Sequence, residues 1–218
     1  MKRLILIAIA ILSFPIYAQK LGEIAPEEPP GKFPPYSFGF DLIFTDGGFG
    51  LGSFFTRTVY DNFSAFADIS ISEAKGDNEI EYYDYYGQPY VINKKNRIFL
   101  IPLNFGLRYR MFAESLTDNL RPYICAGMGP SLILSTPYEM NGEPVEFFTS
   151  FKYSHPYYTV GGYVGLGANF GLSREYIVGV NIRYMIIKKY GQGIENVNGT
   201  FQKDFGGVFL SINLGFMY

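Results

Sequence analysis

Residues 36–44 alternate without a break: Tyr36, Phe38, Phe40, Leu42 and Phe44 are apolar or aromatic, with Ser37, Gly39, Asp41 and Ile43 between them. The same period of two returns at 97–110, where Phe99, Ile101, Leu103, Phe105, Leu107 and Tyr109 oppose Asn104, Gly106, Arg108 and Arg110. At 176–186 Tyr176, Val178, Val180, Ile182, Tyr184 and Ile186 oppose Gly179, Asn181 and Arg183. The chain ends the same way, with Val208, Leu210, Ile212, Leu214, Phe216 and Tyr218 set around Ser211, Asn213 and Gly215. Alternate residues of a strand point to opposite faces, so each stretch is a strand with one apolar and one polar face. Eight such segments are legible, at roughly 36–46, 48–59, 63–73, 97–112, 121–135, 156–171, 175–189 and 205–218.

The connections fall into two classes. Those at 60–62, 113–120 and 173–175 are short, and those at 74–96, 136–155 and 190–204 are long and polar or tyrosine-rich; a tight turn, Thr45–Phe49, takes one long-loop position. Short turns on one side and long loops on the other mark an outer-membrane barrel. A small soluble barrel shares the alternation but turns its apolar face inward. Its water-facing surface would then consist of Gly, Ser, Asn and a few charges, poor in Lys and Glu. The opposite assignment, apolar face to lipid and polar face to the lumen, accounts for the few strand charges and for Gly161, Gly165 and Gly167, which leave room in a narrow interior. It also explains a chain that ends on a regular strand, since a closed barrel pairs its last strand with its first. The fold expected is therefore all-β: an eight-stranded antiparallel up-and-down transmembrane β-barrel over 36–218. Tyr36, Tyr109, Tyr176 and Tyr218 fall at the short-turn ends of the apolar faces and are expected as a periplasmic aromatic girdle, with Phe99 and Tyr184 toward the outer one. Arg57 breaks the pattern and must snorkel or mark a bulge; Pro122 and Pro130 point to bulges or a strand start.

Residues 1–18 have the layout of a cleaved signal peptide, with Lys2 and Arg3, an apolar run from Leu4 to Phe14, and Ala18 before the expected cut. That run is shorter than the ~20 residues a spanning helix needs. A Pro-rich periplasmic linker is expected at 19–35. Removing the leader takes two of 18 basic residues and none of the 20 acidic ones, which moves the net charge from −2 to −4. Without a concentrated basic face, nucleic acid is not an expected partner. A lone cysteine, Cys125, and a lone histidine, His155, give no basis for a disulfide or a metal cluster, and no cofactor is expected. The 19 Tyr, 21 Phe and 25 Gly fit strands rather than helices.

"IPLNFGLRYRMF" (101–112), "LRPYICAGMGPSLIL" (120–134) and the terminal "LSINLGFMY" resemble the small eight-stranded outer-membrane β-barrel superfamily, which includes OmpA-like transmembrane domains, OmpX and OmpW. The resemblance spans about residues 36–218. It implies insertion into the outer membrane by the barrel-assembly machinery, with Leu214, Phe216 and Tyr218 similar to the C-terminal signal which that machinery reads. No wall-binding domain is expected after the barrel.

The inward polar set, Asp41, Asp68, Asn104, Arg108, Arg110, Asn169, Arg183 and Asn213, is expected to form an ion-paired plug, because an eight-stranded barrel is only wide enough for side chains. A narrow conducting path lined by the same groups is the alternative. The long loops are the more promising working parts. Residues 79–97 hold five tyrosines with acids, then Lys94, Lys95 and Arg97, a composition suited to binding sugars or proteins. Lys188 and Lys189 are placed to meet lipopolysaccharide phosphates. The expected role is structural or surface-binding, adhesin-like, through these loops, with outer-membrane lipid and lipopolysaccharide as surroundings and a monomeric barrel. Transport of small or hydrophobic solutes is the second reading, since Phe66, Leu100, Pro102, Phe209 and Met217 are inward by parity. No catalytic residue is expected: His155 and Ser154 are adjacent in a strand and point apart, and although Ser150 or Ser135 could approach the imidazole in space, nothing in the spacing demands it.

Overall fold

The computed structural model describes residues 33–218 except 77–78, 84, 88, 93, 114–115, 117–118, 141–142, 172–174 and 196. The expected leader and all but the last three residues of the Pro-rich segment lie outside the described residues.

Eight long strands form: β1 (Tyr36–Thr45), β2 (Gly48–Tyr60), β3 (Phe63–Ala74), β4 (Asn96–Arg110), β5 (Leu120–Pro137), β6 (His155–Phe170), β7 (Tyr176–Lys188) and β8 (Asp204–Met217). Each runs antiparallel to the next, and β8 returns to β1, so the sheet closes into a barrel with no free edge. The closing register runs from Ser37 opposite Met217 to Phe44 opposite Leu210. It is finished by Tyr36 N donating to Tyr218 O at 3.1 Å and Tyr218 N donating to Tyr36 O at 2.9 Å. The terminal strand is ordered because it is the closing strand.

The outer face identifies the solvent for which the barrel is built. Phe40, Leu51, Leu107, Val164 and Val208 are each 59–61% exposed, and their neighbours around the wall are apolar as well. In water such a belt would far exceed the few hundred Å² that soluble monomers leave bare, at about 25 cal/mol for every Å² of it. In hydrocarbon that cost vanishes. The shortest strand has 10 residues and the longest 18, enough to cross a bilayer at a tilt. This is the architecture of an outer-membrane-type barrel, with lipid outside and a packed lumen inside.

Two glycines show how the lumen is filled. A Cβ at Gly167 would lie 2.4 Å from the Tyr123 ring, and one at Gly106 would lie 2.5 Å from the Phe66 ring, so small residues on one strand make space for inward aromatics on its neighbours.

The prolines depart from expectation. Pro122 and Pro130 both lie within β5, whose register against β6 is unbroken. The missing N–H is accommodated on the β4 side: the β4–β5 ladder skips between Pro102–Ser131 and Phe105–Met128 without changing register, and it ends at Arg110–Tyr123. Two ladder pairs are lost, but no bulge forms. Arg57 faces outward beside a register shift between Thr58 and Tyr60, with its guanidinium 5.7 Å from the centre of the Tyr36 ring. Both devices expected for it, interfacial placement and local irregularity, are present together.

Tyr36 stacks on Tyr218 and Phe55 at 5.9 and 6.1 Å between ring centres, and Tyr109 lies 4.8 Å from Phe63. With the exposed Tyr176 these rings ring the end where the termini meet. At the opposite end the long connections fold on themselves, as two-stranded hairpins at 81–83 with 89–91, 139–140 with 143–144, and 194–195 with 201–202. A short helix, Phe147–Ser150, and a 3-10 turn, Phe151–Tyr153, lie over Phe99. That ring, expected in the outer girdle, is instead covered by Phe147 and Phe151 at 5.9 and 5.1 Å. Tyr184 remains exposed on the wall.

Candidate functional site

The lumen is built in layers. At the terminus end, Arg121 and Arg110 point inward, with their guanidinium carbons 4.4 and 5.7 Å from the centre of the Phe33 ring. Asn169 is only half-buried there, with its carbonyl oxygen against Gly179. Neither Arg110 nor Asn169 belongs to the central polar cluster.

The middle layer holds the charges. Arg183 reaches Asp41 at 3.3 Å and Asp68 at 3.9 Å, and its own side chain is 2% exposed. Asn213 donates to Asp41 at 2.6 Å; Asn104 and the Tyr163 hydroxyl donate to the two oxygens of Asp68 at 2.8 and 2.6 Å. Arg108 stacks on Tyr123 at 4.1 Å, and Asn181 donates to the Tyr123 hydroxyl at 3.2 Å. Two carboxylates and two guanidinium groups thus share one belt, as buried charge requires. Of the eight residues expected inside, Asp41, Asp68, Asn104, Arg183 and Asn213 meet directly, and Arg108 lies over Tyr123. The aromatic hydroxyls of Tyr123 and Tyr163 were not among the expected members. For Tyr123 the available signal was Gly167, since a glycine on the inward face marks a large neighbour.

Above the charges the lumen turns apolar. Ile43, Ile98, Leu100, Ile133, Met185, Ile187, Phe205 and Phe209 are each no more than 2% exposed. The buried hydroxyls of Ser72, Ser131, Ser135 and Ser211 lie at the same height, so large apolar and small polar residues share this layer. Phe66, Leu100, Pro102 and Phe209 are inward and buried.

At the loop end the 79–97 stretch divides into a tip and a base. Tyr82 and Tyr90 face each other across the hairpin at 6.0 Å, while Tyr85 and Tyr86 stand at the tip, 97% and 85% exposed. The cations do not stand with them. Lys94 is 9% exposed between Glu79 at 3.0 Å and Glu73 at 3.7 Å, and Arg97 lies over Tyr138 at 4.7 Å while donating to Val145 O at 3.3 Å. They border a cavity of about 370 Å³ lined by Glu73, Glu79, Tyr90, Lys94 and Tyr138. Asn96 Nδ2 donates to Glu195 O at 3.0 Å, which ties the last long loop to the base of the first.

Glu146 caps the short helix. Its carboxylate accepts from the Thr149 hydroxyl at 2.6 Å and the Thr149 N–H at 2.8 Å, and these bonds hold its pKa below the ordinary 4.5. His155 is exposed at the start of β6, opposite the buried Ser135, and Ser150 donates its hydroxyl to Phe147 O at 2.7 Å. Among the described residues no three potential metal ligands cluster.

No protein-family model and no curated protein matches the chain. Among solved structures it is similar to Neisserial surface protein A, at 12% identity and a TM-score of 0.48 over 84% of this chain and 94% of that one. It is similar to the N-terminal β-barrel domain of OprF from Pseudomonas aeruginosa, at 11% identity and a TM-score of 0.44 over 83% and 95%. It is also similar to the outer membrane protein OprG from Pseudomonas aeruginosa, at 13% identity and a TM-score of 0.44 over 85% and 97% of the two chains.

Proposed function

We propose that the protein is a monomeric, non-catalytic barrel of the outer membrane in a Gram-negative-type bacterium, and that it works by binding at the cell surface through its long loops. One contrast supports this reading. The lumen is closed by a charged layer and an apolar layer, whereas the tyrosines at the tip of the first long loop are almost fully exposed. A hairpin with Tyr85 and Tyr86 at its exposed end presents large amphipathic rings at low entropic cost, the chemistry of an adhesive contact. The charged base beneath, Glu73–Lys94–Glu79, holds the hairpin upright and is not itself displayed. Insertion is assigned to the barrel-assembly machinery, with Leu214, Phe216 and Tyr218 on the closing strand as its signal.

The apolar upper lumen favours a second reading, a path for hydrophobic solutes, which needs the Leu100–Phe209 layer to open. Reconstitution in planar bilayers separates the two. Silence, together with binding of host-cell or glycan surfaces that Tyr85→Ala/Tyr86→Ala abolishes, supports the adhesive role. Steady conductance that hydrophobic solutes block supports transport instead.

A further inference from the structure

The acids and cations beneath the first hairpin do not close on one another. They leave a cavity of about 370 Å³ where the β1–β2 turn, the end of β3, the base of the hairpin and Tyr138 meet. One side of it is fixed by the backbone. Thr45 Oγ1 donates to Glu73 O at 3.1 Å and accepts from Gly47 N at 3.2 Å, and a Cβ on Gly47 would lie 2.5 Å from Lys75 N, so the turn and the strand end are packed together. The Glu79 and Lys94 side chains are 4% and 10% exposed, whereas Glu73 at 31% and Tyr90 at 43% are open to a ligand from solvent.

The hydrogen-bonding capacity of this cavity is not used up. Lys94 carries three N–H donors, and Glu79 takes one at 3.0 Å. Glu73 lies 3.7 Å from the same nitrogen, beyond hydrogen-bond length, so its carboxylate keeps acceptor sites for another donor. Both signs of charge line the space, Glu73 and Glu79 against Lys75, Lys94 and Arg97. An anion would meet the two acids, and a cation would meet the three bases. A hydroxyl both donates and accepts, and it gains a charge-assisted bond from either kind of partner. Tyr90 and Tyr138 add ring surface for an apolar face.

We propose that this cavity binds a neutral, hydroxyl-rich ligand, the pyranose ring at the end of a glycan. Glu73 accepts from its hydroxyls, Lys94 donates to them, and Tyr90 packs against the C–H face of the ring. The cavity lies near the small end of the ~300–1,000 Å³ typical of ligand pockets, which suits one sugar or two and not a longer chain. This site rests on the surface-binding reading above and gives its partner a chemistry: the tip tyrosines make contact, and the base reads the sugar.

The test titrates the folded barrel, in a detergent without a sugar headgroup, with the methyl glycosides of glucose, galactose, mannose and N-acetylglucosamine, followed by ligand-observed NMR. At least one should bind saturably with a Kd of about 1 mM, the range open to a ligand of so few atoms. An amino and a carboxylate form of that sugar should each bind at least about fivefold more weakly, because each brings a like charge to the lining. Val91→Phe, which fills the cavity and leaves every charge in place, and Glu73→Gln, which keeps the shape and the Lys94–Glu79 pair, should each lower the affinity about tenfold. Tyr85→Ala/Tyr86→Ala should leave it unchanged, and heat-dependent gel mobility with protease resistance of the hairpin checks that every variant is folded. No binding of any of these glycosides below about 20 mM, full binding by either cavity variant, or equal binding of the charged forms overturns the proposal. Cell adhesion is scored separately. Adhesion that Tyr85→Ala/Tyr86→Ala removes, in a protein that binds none of the glycosides, overturns the sugar site and leaves the surface-binding reading standing.

Discussion

The two halves of the lumen solve the same packing problem with different physics. Around mid-height Asp41, Asp68, Arg108 and Arg183 are buried with Tyr163, Asn104 and Asn213, and every carboxylate oxygen there has a donor. Nearer the loops the same strands turn Ile43, Leu100, Ile133, Met185 and Phe209 inward, with the small hydroxyls of Ser72, Ser131, Ser135 and Ser211 between them. The charged layer is sensitive to the loss of one partner, because the other is left buried and unpaired. The apolar layer is sensitive to volume.

The largest expected effect lies in the charged layer. Arg183→Met leaves Asp41 and Asp68 without their cation and should lower stability by about 3–5 kcal/mol, read from urea unfolding in lipid vesicles. Adding Asp41→Asn and Asp68→Asn to that variant should restore much of the loss. If the triple variant is as unstable as the single one, ion pairing is not what matters there. In the apolar layer Leu100→Ala should cost about 3 kcal/mol, and Leu100→Met less than about 1.5, in the same assay. Equal losses for the two would mean that volume does not control this half.

On the opposite face of the same strand, Phe105→Lys should cost about 2–4 kcal/mol at mid-membrane, and Tyr109→Lys about 0–1 at the interface. A barrel standing in water would show no such depth dependence. The smallest effect is at the rim. Because hydrogen bonds from Thr149 depress the Glu146 pKa, the cap is fully present above the ordinary 4.5 and is lost as pH falls through the lowered folded value. The Thr149 amide resonance should therefore titrate with a midpoint below 4.5 and stop titrating in Glu146→Gln. The rest of the barrel's spectrum should not move with it.

Much of the fold could be read from the chain because strand parity is local. The eight segments end within two residues of β1–β8, since alternation stops where Gly, Asn, Asp and charged residues take over. The interior set was legible in the same way, residue by residue, but only as a direction. Parity says that Asn104 and Arg110 both point inward; it does not say that the first meets Asp68 while the second lies near Phe33. Lys94 reads as a surface cation in a polar loop. Only the return of that loop onto the end of β3 places it between Glu73 and Glu79.

The sequence by itself determined which residues face lipid and which face the lumen, the number of strands, and the closure that makes Tyr218 part of the sheet. Each follows from a period of two and from the need to leave no edge unpaired in a membrane. The tertiary structure alone decided height and neighbourhood. It set the charged layer below the apolar one, covered Phe99 with a helix, and placed Lys94 between Glu73 and Glu79. Those outcomes depend on register between strands far apart in the chain, and register across the barrel is a property of the closed sheet, which no single strand carries.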